Sequence, residues 1–370
     1  MMPAALAGLP AWAQQALVFP GKRPMLVHND FPEDLETPVE YFDSWITPID
    51  RFFVRQHLPR PKVDAQSYRL KVHGLVGSPL TLSLDDLRKM PQIKVPATLE
   101  CAGNGRGYFQ PKVPGLQWTK GAIGNAEWRG VRVADLLRRA GVKAEAKYGT
   151  ANGMDVGVGK TPDFIRSVPM RKLMHESTII ALEMNGQPIP ELHGFPARLI
   201  VPGWDGASWV KWVNDLHLSV EADKGFYFAT AYKYPNFSVG PGGSAKPEEM
   251  EVLEGMAVTS FFSKPLDKAK VKTGPVPVMG VAFGGEHKIA RVEVSTDGGA
   301  KWVDAKLGAE NFQFAWRTFT HDWRPAKKGY YTLCARATDA AGRVQPVEAE
   351  WNPSGYMWNA VDRIGVMVEG

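Results

Sequence analysis

The order of apolar and polar positions divides the chain into two stretches of different character. Ser67–Leu75 (SYRLKVHGL) alternates polar and apolar side chains, the period of a strand with one buried face. Leu82–Leu87 leads into a short helix. Val131–Ala140 places Val133, Leu136, Leu137 and Ala140 on one face with Gly141 just beyond, which predicts a helix of about three turns. Arg51–His57 reads as a short strand, and Thr98–Gly107 as a strand that runs into a glycine-rich turn. Further strands are expected at Ile179–Met184, closing on an Asn185-Gly186 turn, at Leu199–Val201 and at Trp209–Val220. This part of the chain reads as mixed α+β.

Beyond residue 247 the helical period gives way to strands: Val276–Phe283, Lys288–Ser295, Phe312–Thr320 and Gly329–Ala337, with Asp297-Gly298-Gly299 as a hairpin turn. An immunoglobulin-like β-sandwich is the economical fold for that spacing. The junction falls in Ser238–Glu251, which is rich in Gly and Pro and then acidic. The expected organisation is an N-terminal arm over 1–45, an α+β domain over 46–246 and a sandwich domain over 247–370. Within the apolar stretch Met1–Phe19, Pro10–Val18 reads as a short helix. Ala11-Trp12-Ala13 loosely mimics a signal cleavage site, but no basic region precedes it, so no signal peptide is visible. Nor is there an apolar run of about 18 residues that would predict a membrane span.

Composition narrows the chemistry. In 370 residues, 44 basic against 39 acidic side chains leave a formal charge of +5, too diffuse for a nucleic-acid stripe but compatible with a local anion pocket. The two cysteines, Cys101 and Cys334, form no CxxC or Cys/His cluster, so structural zinc, c-type haem and thiolate-bound iron–sulfur clusters are unsupported. GxGxxG, Walker A, GxSxG and HExxH signatures are absent in their required settings.

Three constellations remain. Cys101 follows a strand end and precedes Gly103, Gly105, Arg106 and Gly107. Glycines admit close approach of a bulky ligand, and the arginine would favour a thiolate, the donor a soft metal prefers. A buried structural cysteine fits the same pattern. Arg55 and His57, two apart on an extended segment, share a face and suit an anion, or else a solvated strand edge. His193, Arg198 and Lys211 flank apolar strands without nearby carboxylates, so they either bind an anion or reach out to water.

Several segments carry a resemblance: PIDRFFVRQHLP (Pro48–Pro59), LECAGNGRG (Leu99–Gly107), GLQWTKGAIGNAEWRGV (Gly115–Val131), ALEMNGQPIP (Ala181–Pro190), HGFPARLIVPG (His193–Gly203), WVKW (Trp209–Trp212), VSTDGGAKW (Val294–Trp302) and WNPSGYMWN (Trp351–Asn359). Through them the chain resembles the sulfite oxidase family of molybdenum-cofactor enzymes, bacterial sulfite dehydrogenases in particular. The resemblance implies a molybdopterin domain followed by an immunoglobulin-like dimerisation domain. Cys101 would ligate molybdenum, in its oxo form and beside a single pterin. Arg55, His57, Asp155, His193, Arg198, Trp209, Val210 and Lys211 would hold that cofactor. Arg55, Arg106, Trp118, Tyr232 and Arg317 would line the substrate pocket, with Arg317 completing it from the second domain.

The implied reaction is oxidation of sulfite or a related small sulfur oxyanion. No haem motif occurs in the chain, so electrons would pass singly to an external acceptor, by family analogy a c-type cytochrome. A homodimer and a periplasmic location are the family expectations. A sulfane dehydrogenase of the thiosulfate-oxidising system, nitrate reduction, or a non-catalytic binding subunit are the alternatives. Gly105 stands where animal members carry another arginine, and Pro114 where they carry a lysine.

Overall fold

The computed structural model describes residues 19–370; the helix expected over Pro10–Val18 lies outside them. Two five-stranded sheets build the first unit. In one, Gln92–Glu100 pairs with Ile123–Arg132 over nine residue pairs, and the latter pairs with Ile179–Met184, all antiparallel. Arg198–Ile200 joins at the far side of Ile179–Met184. The other sheet runs Leu80–Ser83, Arg69–Gly74, Asp215–Ser219, Tyr148–Asn152, Ile165–Pro169, with Arg69–Gly74 and Asp215–Ser219 parallel. Their shared core holds Leu70, Val72, Leu99, Trp128, Leu137 and Ile180.

Among the described residues helices are few and short. The longest is Val133–Ala140, two residues shorter than expected because Ile123–Arg132 keeps the chain in the sheet up to its start. Gly141 ends it at φ 65°, a conformation that favours glycine. The helix Leu84–Lys89 begins at a capping box in which Ser83 and Asp86 satisfy each other's backbone N–H groups. The α+β expectation is therefore corrected to a strand-rich unit: most of the apolar runs are short and pair sideways.

The sequence expectation of an arm over 1–45 is also corrected. Leu26–Asn29 and Asp34–Glu36 form a hairpin, Leu35 bridges Val54, and Leu35 and Glu36 are fully buried. Arg51–His57 is no strand: a short 3₁₀ turn covers Ile49–Arg51, and only Val54 makes a ladder contact.

The second unit is a sandwich of two sheets. Thr259–Lys264, Val276–Phe283, Arg317–Trp323 and Lys306–Leu307 form one; Ala269–Lys272, Asp362–Glu369, Gly329–Asp339, Ile289–Ser295 and Val303–Asp304 form the other. Val278, Phe319, Leu333 and Val366 lie in the core between them. The strand expected over Phe312–Thr320 begins only at Arg317, because residues 314–316 turn aside to the first unit. There the Phe314 carbonyl accepts from Thr98 N, and Trp316 donates through Nε1 to the Trp45 carbonyl. The boundary segment 238–249 loops between Lys233–Pro235 and Met250–Val252, which pair with each other.

Candidate active site

Strand Gln92–Glu100 ends at Cys101, whose N–H donates to the Ala122 carbonyl at 2.9 Å. The turn that follows folds Arg106 back over Gly103. A side chain at residue 103 would meet the guanidinium at 2.7 Å, which explains the glycine. Arg106 is buried, with Nε donating to the Gly355 carbonyl at 3.1 Å and Nη1 to that of Leu116 at 3.3 Å.

Cys101 faces a cavity walled by Arg55, His57, Asp155, His193, Arg198, Trp209, Lys211 and Tyr232, with Leu99 and Phe164 among the apolar residues. Three basic side chains, Arg55, Arg198 and Lys211, and two histidines converge on it. Arg55 Nη1 donates to Asp34 at 3.2 Å, a carboxylate the sequence reading missed because the pair is 21 positions apart. Arg198 has only carbonyl partners, Trp209 at 3.1 Å and His193 at 3.2 Å, and burial pushes it down to about 9. A guanidinium stays charged at neutral pH, so the shift measures the cost of burying it without a carboxylate. Burial and the Arg198 charge push Lys211 down to about 7, while burial pushes Asp155 up to about 6 against the pull of Lys211.

His57 and Tyr232 share a hydrogen bond of 2.6 Å between Nε2 and the phenol oxygen. Burial, with the Arg55, Lys211 and Arg166 charges, holds His57 well below the usual histidine range, and burial holds the phenol well above its own. Tyr232 therefore donates to a neutral ring. The Cys101 thiol is pushed up by burial, which outweighs the pull of Arg55 and Arg106, so the thiolate expected from the arginine alone does not form without a cation. A coordinated metal would reverse that, since it deprotonates a thiol outright.

Two family models match: the oxidoreductase molybdopterin binding domain over residues 57–227 and the Mo-co oxidoreductase dimerisation domain over 250–369. The mitochondrial sulfite oxidase of Rattus norvegicus is 35% identical over 94% of this chain and 67% of its own. The sulfite oxidase of Arabidopsis thaliana is 32% identical over 93% and 94%. In structure, the sulfane dehydrogenase SoxCD of Paracoccus pantotrophus superposes with a TM-score of 0.80 at 31% identity, covering 98% of this chain and 91% of that one. The chain belongs to the sulfite oxidase family of molybdenum enzymes.

The residues present fit the family's cofactor. Arg198 and Lys211 are buried cations facing a cavity whose lining contains a single carboxylate, Asp155, so an anionic phosphate would relieve them. Among the described residues no three His, Cys, Asp or Glu side chains converge as a metal-ligand set. A metal at Cys101 would take its other donors from a ligand, as a pterin dithiolene provides.

Of the family positions expected at the site, three lie elsewhere. Arg317 is in the sandwich, its Nη2 donating to the Gly308 carbonyl at 2.5 Å, and it does not line the cavity. Strand Arg317–Trp323 pairs with Val276–Phe283 and Lys306–Leu307, and that register ties the side chain to its own sheet. Trp118 is wholly buried with its ring 4.5 Å from that of His28, and Val210 is buried behind the cavity wall. Arg106 acts on the thiol through its charge but does not line the cavity, and it donates to the Gly355 and Leu116 carbonyls. The second unit instead reaches the site through the Asn352–Trp358 loop: Met357 N donates to the Ala102 carbonyl, and Tyr356 lies under Arg106, 5.0 Å from the guanidinium carbon. The quoted segment WNPSGYMWN contained this contact, but nothing in its residue types marked Tyr356. Cys101 and Cys334 are both free thiols.

Proposed function

We propose that the protein oxidises sulfite to sulfate, taking the added oxygen from water and releasing two protons and two electrons, the electrons passing to an external acceptor such as a c-type cytochrome. The carrying observation is the Cys101 thiol at the wall of a cationic cavity into which Arg55 and the Tyr232–His57 pair also face. Bound molybdopterin supplies the two-electron and oxygen-transfer chemistry. Cys101 would hold its metal, while His193, Arg198 and Lys211 hold the anionic end of the pterin. Arg55 would then bind the oxyanion, and Tyr232, kept protonated and aligned by neutral His57, offers a hydrogen bond at the reacting end. Association through the sandwich as a homodimer in the periplasm belongs to the same proposal.

One observation favours sulfane sulfur as the substrate instead. Arg106 and Arg317 do not line the cavity, so of the three guanidiniums expected at the substrate only Arg55 does. Fewer charges suit a sulfur atom carried on a thiol better than free sulfite. A panel of sulfite and a protein-bound persulfide read by cytochrome c reduction, and of nitrate read by oxidation of a reduced dye, with molybdenum measured on the same preparation, separates the readings. Turnover with sulfite alone supports the proposal. Turnover with the persulfide and silence with sulfite replaces it.

A further inference from the structure

Lys22 enters from the segment before the first strand, outside the stretch matched to the molybdopterin domain. Its ammonium reaches three acceptors: the Ile49 carbonyl at 2.6 Å, the Phe52 carbonyl at 2.7 Å and His193 Nε2 at 2.7 Å. The segment is pinned by Arg23, whose N–H donates to the Asp50 carbonyl and whose Nε pairs with the Asp50 carboxylate, both at 2.9 Å. His193 is the partition between two spaces. One side is the cofactor cavity; the other is an open pocket lined by Lys22, Ile49 and Asp50.

We propose that Lys22 is a positioning residue for the cofactor: by occupying the Nε2 lone pair of His193, it holds that ring as the Nδ1–H tautomer and leaves Nδ1–H as the donor offered to the pterin.

Burial pushes Lys22 down to about 7, so below that pH it is an ammonium with three N–H donors and no acceptor, and the two carbonyls can only accept. The third N–H therefore needs a lone pair on Nε2, which exists only when the ring's proton sits on Nδ1. The surroundings exclude the doubly protonated ring: Lys22, Arg198 and Lys211 all place positive charge against it, and the Phe52 ring meets it edge-on at 5.5 Å. The Ile49 carbonyl competes for a ring proton, and it already accepts from the ammonium. A pterin and its phosphate present oxygen and nitrogen acceptors, so a fixed donor at Nδ1 matches them. A partner behind a binding histidine sets its tautomer in the same way at metal sites, where losing it costs about 10- to 100-fold in affinity.

The test uses the purified holoenzyme at pH 6, where Lys22 is an ammonium, with ¹⁵N-labelled histidine, the His193 signals being assigned through His193→Gln, together with the rate of pterin loss followed by fluorescence. The wild-type ring is expected to carry its proton on Nδ1. Lys22→Met should move the proton to Nε2, facing the Ile49 carbonyl, and speed pterin loss about 10-fold. Lys22→Arg, which keeps a donor, should preserve the tautomer. In the His193→Gln background, Lys22→Met should add no further loss, because the effect runs through the ring. A wild-type ring protonated at Nε2 overturns the proposal, and this reading needs no variant to fold. So does a Lys22→Met effect of equal size with and without His193, which would mark Lys22 as structural only.

Discussion

Tyr356, in the last loop of the second unit, lies flat against Tyr232 of the first, their ring centroids 5.6 Å apart and their planes within 6°. The Arg106 guanidinium carbon lies 5.0 Å from the centroid of the Tyr356 ring, so one residue of the second unit touches both the phenol at the cavity and the cation beside Cys101. The second unit completes the site with an aromatic ring and backbone carbonyls.

Removing that ring should loosen both neighbours. Tyr356→Ala is expected to lower stability by about 1–3 kcal/mol, from the lost stacking and cation–π contacts and the lost burial, and to reduce kcat/KM. Tyr356→Phe should keep most of both. Thermal unfolding and steady-state kinetics on the two variants check this, and equal losses in both would shift the role from the ring to the hydroxyl.

Cys101→Ser should abolish turnover, with activity below about 1% of wild type if the thiolate is the protein's ligand to the metal. The fold should persist, since the change is nearly isosteric at the end of a well-paired strand. Circular dichroism and activity per molybdenum atom measure the two effects separately. Full activity in this variant would remove Cys101 from the metal.

Arg317→Ala should leave KM for the substrate unchanged, because the guanidinium bonds to Gly308 within its own sheet. A stability change of about 1 kcal/mol or less is expected from one lost hydrogen bond. Substrate titrations decide it: a several-fold rise in KM would return Arg317 to the pocket.

The buried cations make cofactor-free protein pH-sensitive in a definite direction. Lys211 falls from an ordinary 10.5 to about 7 through burial and the Arg198 charge. Between those values the unfolded chain keeps a proton that the folded one has released, so stability should rise with pH across that window. Lys22, also pushed down to about 7 by burial, contributes in the same sense. Urea unfolding of apoprotein at pH 7, 8 and 9 should show the rise, and Lys211→Met should remove part of it. An identical slope in the variant would mean that Lys211 is charged and compensated in the folded state.

Much of the fold was legible because short-range rules govern it. Alternation over Arg69–Gly74, the glycine after Val133–Ala140 and the Asn185-Gly186 turn all became the expected elements. Asn185 and Gly186 stand at φ 52° and 77°, the left-handed geometry that such a turn requires. Arg51–His57 misled because Phe52, Phe53 and Val54 are apolar for burial and not for pairing. Arg55 and His57 still reach one cavity, although the extended strand that suggested it is absent.

The sequence by itself determined the membership: motifs spread from Pro48 to Asn359 named the family, and with it the thiol and the buried cations of the cofactor cavity. It could do so because each of those motifs is local, a few side chains read in order. Only the tertiary structure decided which charges face the cavity and which are spent elsewhere. Asp34 meets Arg55, Lys22 meets His193 171 positions away, and Gly355 takes a hydrogen bond from Arg106 249 positions away. Such pairings depend on sheet register and on how the second unit docks. No local pattern encodes either, because they are settled by burying the whole surface at once.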